Sequence, residues 1–88
     1  MNNNTPLARL ELSRSGIASN FHYFRSLLKP ETKILVLVKA NGYGHGAVPF
    51  ARMLEKLGAN YLGVALPGEG VELKNAGIKL PILVLTTG

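Results

Sequence analysis

Cysteine is absent from this 88-residue chain, which excludes disulfides, thiolate zinc sites and a cysteine nucleophile. Aspartate is absent as well, so glutamate carries all the acidic side-chain charge: five acidic residues face ten lysines and arginines. No apolar run approaches the roughly 18 residues that cross a bilayer. The opening stretch Met1-Asn-Asn-Asn-Thr-Pro6 lacks the basic and apolar regions of a secretion signal. Cytoplasmic residence without a membrane partner is the expectation. The formal charge of +5 raises the question of nucleic acid, but the cations are scattered. Lys29, Lys33, Lys56, Lys74 and Lys79 fall near the ends of predicted elements, and no aromatic residues interleave with them as a base-stacking platform requires. No nucleic-acid partner is expected.

What remains is apolar and periodic. Nearly half of the residues are hydrophobic (47%), enough for one small packed unit. Leu7 to Leu12 alternate apolar and polar, which predicts a short strand. Ser13 or Ser15 then suits the cap of a helix running to about Lys29. Ile17, Phe21, Phe24 and Leu28 form its apolar stripe, and Pro30 ends it. Ile34 to Lys39 is a dense aliphatic run, predicting a strand buried on both faces as in a parallel sheet. After the loop 40–46 a helix spans about Ala47 to Leu57, with Phe50, Met53, Leu54 and Leu57 inward and Gly58 at its cap. A strand at Tyr61 to Ala65, a helix from Pro67 to about Asn75 capped at Gly77, and a strand at Leu80 to Thr86 follow. Pro81 is tolerated only near that strand's start.

Alternation of strands and helices with short connections predicts a parallel α/β sheet with right-handed crossovers. A closed eight-stranded barrel takes about 250 residues. The expectation is therefore the first part of a (β/α)8 barrel: an N-terminal strand and helix over 1–32, then three barrel strands and two helices over 33–88.

Lys39 closes the first dense strand. Alternation puts Leu35, Leu37 and Lys39 on one face and Ile34, Val36 and Val38 on the other. If the lysine face points into the barrel, the amine stands at the C-terminal mouth, where such barrels build their active sites. Held there over two leucines it would be partly desolvated, which lowers an amine's pKa and favours the neutral form needed for attack on a carbonyl. Position alone favours the plainer reading, a solvated lysine closing a strand. The next residues are Ala40-Asn-Gly-Tyr-Gly-His-Gly46. Their glycines permit close backbone approach, and the following helix start attracts anions such as phosphate; a plain tight turn is the other reading. A lysine before the glycines is not a P-loop. His45 and His22 have no third ligand in sight, so no metal is expected.

The segment Val38-Lys-Ala-Asn-Gly-Tyr-Gly-His-Gly46 resembles the region around the cofactor lysine of alanine racemases. The blocks Leu62-Gly-Val-Ala65, Glu69-Gly-Val-Glu-Leu-Lys-Asn-Ala-Gly77 and Pro81-Ile-Leu-Val-Leu85 resemble further parts of that family in the same order. The resemblance implies a barrel carrying pyridoxal 5'-phosphate, followed by a β-rich C-terminal domain against which the strand at Leu7 to Leu12 packs. It implies that Lys39 holds the cofactor, that the Tyr43 hydroxyl contacts its phosphate, and that Leu37 and Leu85 line its site. It further implies a homodimer that interconverts L- and D-alanine for cell-wall peptidoglycan. In that family a tyrosine of the other subunit is the second base, and it lies beyond residue 88. Two other functions stay open at this point: a non-catalytic pyridoxal-phosphate-binding barrel of the homeostasis type, and a racemase of another amino acid. Three departures from the family pattern stand out: Gly42 where alanine is commoner, Ser13-Arg14 for an acidic pair, and Leu66-Pro-Gly68 for an acidic helix start.

Overall fold

The computed structural model describes residues 6–13, 15–39 and 46–85. Four strands form one parallel sheet in the order of the chain: β1 (Leu7–Leu10), β2 (Lys33–Leu37), β3 (Tyr61–Val64) and β4 (Ile82–Val84). Helices α1 (Ile17–Leu27), α2 (Ala47–Leu57) and α3 (Pro67–Asn75) make the crossovers. The strand order never reverses, so the sheet lacks the switch point of a doubly wound fold. Sequential order with a helix between successive strands is how a (β/α)8 barrel begins.

Burial separates the two faces of the sheet. Ile34, Val36, Val38, Leu62 and Val64 are buried in one cluster with Ile17, Phe21, Phe50, Ala51, Leu54 and Leu73 from the helices. These strand residues have the same parity across the register, with Leu10 beside Val36, Val36 beside Leu62, and Leu62 beside Ile82. The opposite parity faces away from the helices and holds Leu35, Leu37 and Gly63. Such aliphatic burial, at about 25 cal/mol per Å² of apolar surface removed from water, is the main force holding helices to sheet.

Local signals set the element ends, and some differ from expectation. Neither serine caps α1. Gly16 occupies the cap position in the left-handed region with φ 71° and no side-chain bond, while Ser13 Oγ donates to the Ser15 carbonyl. A glycine reaches that conformation without the Cβ clash that a serine would meet. The helix stops at Leu27, short of Lys29, and Arg25 bridges the turn by donating to the carbonyls of Lys29 (2.6 Å) and Thr32 (2.7 Å). In α2 the buried stripe is Ala47, Phe50, Ala51 and Leu54. Met53 was expected on that face but is 43% exposed, since the buried stripe runs through Ala47 and Ala51 on the other side of Phe50 and Leu54. Gly58 closes α2 in the left-handed region at φ 100°, and α3 begins at Pro67 as its sequence predicts. At the start of α3 the Glu69 carboxylate accepts from the N–H groups of Ala65 and Leu66, which supplies the acidic helix start that Leu66-Pro-Gly68 lacks.

The largest difference concerns β1. The resemblance places it against a C-terminal domain; here it is hydrogen-bonded in parallel along β2, Leu7 beside Lys33 through Leu10 beside Val36. Lys33 N–H donates to the Pro6 carbonyl at 2.9 Å. A strand as buried as β2 needs its backbone groups paired, and β1 supplies the partners on that edge. The described parts of 1–32 and 33–88 thus share one sheet and one core. All four strands expected from the sequence are present in it.

Candidate active site at the C-terminal end of the sheet

Lys39 stands two residues past the end of β2. Val38 before it is buried at 2% exposure in the helix-facing core, and its N–H donates to the Gly63 carbonyl at 2.8 Å. With Val38 anchored outward, alternation sends Lys39 to the inner face with Leu35 and Leu37, as its sequence predicts. Parallel strands make this the C-terminal end of the sheet, the end at which barrels carry active sites.

The floor beneath it is apolar. A Cβ built on Gly63 would lie 2.7 Å from Leu85 Cδ1, 3.0 Å from Leu35 Cδ2 and 3.1 Å from Leu37 Cδ2. Three leucine side chains therefore converge where β3 has none. Leu35 is buried at 1% exposure, whereas Leu37 and Leu85 are half-buried. Both of the predicted lining leucines are thus on the lysine face and close to each other. Gly63 escaped the sequence reading, which took it only as part of a family block. A glycine inside an otherwise large-residue strand is the signal that could have found it.

The amine differs from expectation. The Lys39 side chain is 61% exposed, and its Nζ lies 2.5 Å from Oε2 of Glu11, itself 55% exposed. The side chain is thus exposed and paired with a carboxylate, not buried over the leucines. Glu11 was also missed; its place depends on β1 lying beside β2. Tyr43, His45 and the glycines of the loop lie outside the described residues. The described residues hold no group of three histidine, cysteine, aspartate or glutamate side chains able to bind a metal. None of the described helices is long and apolar enough to cross a membrane. A cavity of about 310 Å³ lined by Pro6, Leu7, Lys33, Tyr61 and Leu83 is built mostly from the N-terminal ends of the strands, away from Lys39.

Fold and site define a class: the opening strands of a parallel (β/α) barrel with a lysine amine at the C-terminal mouth, over leucines. Comparison with known proteins makes this specific. The model of the family described as "Alanine racemase, N-terminal domain" matches residues 12–87, and the chain belongs to that family. It is 48% identical over 75 residues to an alanine racemase of Desulfovibrio desulfuricans, covering 85% of this chain and 20% of that protein. Over 78 residues it is 42% identical to one of Synechocystis, covering 89% of the chain and 21% of the relative. Among solved structures, an alanine racemase of Clostridium difficile 630 superposes with a TM-score of 0.75 at 42% identity, over 89% of this chain and 21% of that one. The same protein in complex with cycloserine matches equally well. The chain spans about a fifth of the length of these relatives.

Proposed function

We propose that the complete protein interconverts L- and D-alanine with pyridoxal 5'-phosphate and that this chain contributes the cofactor lysine, Lys39. The observation that carries the reading is the placement of an accessible amine at the C-terminal end of a parallel sheet, level with an apolar floor, in a chain of the alanine racemase family. The donor set fits the cofactor. A solvent-exposed primary amine is the group that an aldehyde cofactor requires, and half-buried Leu37 and Leu85 offer apolar surface to an aromatic ring. When bound, pyridoxal phosphate supplies an electron sink for negative charge developing at the substrate Cα.

The chain's own residues have separate tasks. Lys39 would hold the cofactor through its Nζ and would move a proton at the substrate Cα. Leu37 and Leu85 would help exclude water from the site. The resemblance gives the Tyr43 hydroxyl the phosphate contact, and the start of α2 at Ala47 is a helix N-terminus of the kind that favours an anion. The names of the relatives favour a racemase over a non-catalytic barrel sharing the lysine, and alanine over other amino acids. The same reading makes the protein a cytoplasmic homodimer that supplies D-alanine to peptidoglycan, with the second base on the other subunit. Borohydride reduction of the complete, cofactor-loaded protein followed by peptide mass mapping tests the assignment. The phosphopyridoxyl mass is expected on Lys39, and its appearance on another lysine refutes the proposal.

A further inference from the structure

We propose that Glu11 is a positioning residue for Lys39: it holds the amine charged and aimed along the inner face until a ligand takes it. The functional part of this inference rests on Lys39 being the cofactor lysine. The contact itself stands on the fold.

Two buried anchors create the pair. Arg9 is level with Leu35 in the β1–β2 register, so Glu11, two residues on, comes level with Leu37 and one pleat short of Lys39. Leu12 is buried at 3% exposure in the helix-facing core, which leaves Glu11 the inner face. Val38, at 2% exposure in the same core, does the same for Lys39. Neighbouring strands with matched parity thus deliver a carboxylate and an amine to one spot, Oε2 and Nζ 2.5 Å apart. A chance surface pair needs no such pair of anchors.

The charge environment makes Glu11 the group that matters. Among the described residues of the sheet, the ionisable groups on this face are Arg9 and Glu11 from β1 and its extension, Lys33 and Lys39 from β2 and its extension, and Tyr61 from β3. Strand β4 contributes none. Arg9 is level with Leu35, four residues or about 13 Å behind Lys39 along the strand. Lys33 and Tyr61 border the cavity at the other end. Among the described residues of this face, Glu11 is thus the carboxylate beside the amine. An ammonium ion cannot attack an aldehyde, so a lysine held in this pair is shielded from stray electrophiles. It remains pointed at the place where the cofactor arrives.

Amine reactivity tests this without any activity measurement. The 88-residue chain is acetylated with trace acetic anhydride at mildly alkaline pH, and each lysine is quantified by mass spectrometry. Lys29 and Lys56 serve as exposed references. Lys39 is expected to react roughly two- to fivefold more slowly than they do, in line with the strength of exposed ion pairs. Glu11→Gln should erase the difference, and Glu11→Asp should keep it. In the unaltered chain, added salt should speed Lys39 alone, which covers the case of a variant that fails to fold. Equal Lys39 rates in the unaltered chain and Glu11→Gln, or no selective salt effect, overturn the proposal. Pyridoxal phosphate with borohydride forms a separate arm. Label on lysines other than Lys39 there would defeat the cofactor reading while the acetylation contrast still decides the role of Glu11.

Discussion

Replacing Gly63 with alanine puts one methyl group where three leucines already meet. The new carbon would stand 2.7, 3.0 and 3.1 Å from methyl carbons of Leu85, Leu35 and Leu37. Carbon atoms pack at about 3.5–4.0 Å, so each contact falls short by roughly 0.4–0.8 Å. Leu37 and Leu85 are half-buried and can turn outward, but Leu35, at 1% exposure, has no free space to enter. Overpacking of this kind costs about 1–3 kcal/mol. Loss of glycine's flexibility in the unfolded chain returns about 0.5–1 kcal/mol, leaving a net loss of up to about 2.5 kcal/mol. In a chain of this size each kcal/mol moves the melting temperature by about 4–8 °C. Thermal melts followed by circular dichroism measure it directly. In the complete protein the same substitution should also weaken cofactor retention, because the displaced leucines are the floor beneath Lys39. A Gly63→Ala chain that melts at or above the temperature of the unaltered protein would refute this account of the packing.

Two further outcomes are expected. Tyr43→Phe in the complete protein should weaken pyridoxal phosphate retention by tenfold or more, since a hydrogen bond to a charged group contributes about 1.5–3 kcal/mol; equilibrium dialysis with unchanged cofactor affinity would remove Tyr43 from the site. Residues 1–88 alone should not racemise alanine above the free-cofactor background in chiral chromatography, because Lys39 there lacks a second base and the amine remains open to solvent.

The elements that read most plainly from the sequence are those whose burial is set by their own residues. Ile34 to Val38 appears as a buried strand because every side chain in it is aliphatic. Gly58 and Pro67 mark helix ends by backbone geometry that few other residues supply. The inner face was legible from alternation alone, which put Leu37 and Lys39 together before any partner was known. What was not legible depended on a neighbour. Glu11 looks like one polar position in a short strand until β1 is paired with β2, and no local signal states that pairing. Gly16 outcompeted two serines for the cap because the chain enters α1 in a left-handed turn, a tertiary requirement invisible to capping preference. Met53 obeyed helical spacing but lost its inward place to Ala51, since spacing cannot say which side of a stripe the sheet will touch. The exposure of the Lys39 amine follows from an inner face that the described residues leave uncovered, a property of the assembled sheet and not of the strand.

The strand order has a kinetic side. Each strand pairs with the one made just before it, β1 with β2, β2 with β3, β3 with β4, and each crossover closes a loop of modest length. Loop-closure entropy is then met in small steps, and contacts between near neighbours in sequence favour rapid formation. As the chain leaves the ribosome, N-terminal parts first, every finished strand can dock on an edge already in place. Strand β4, with Leu83 39% and Val84 42% exposed, is the last of the described strands to be made and so the last to dock.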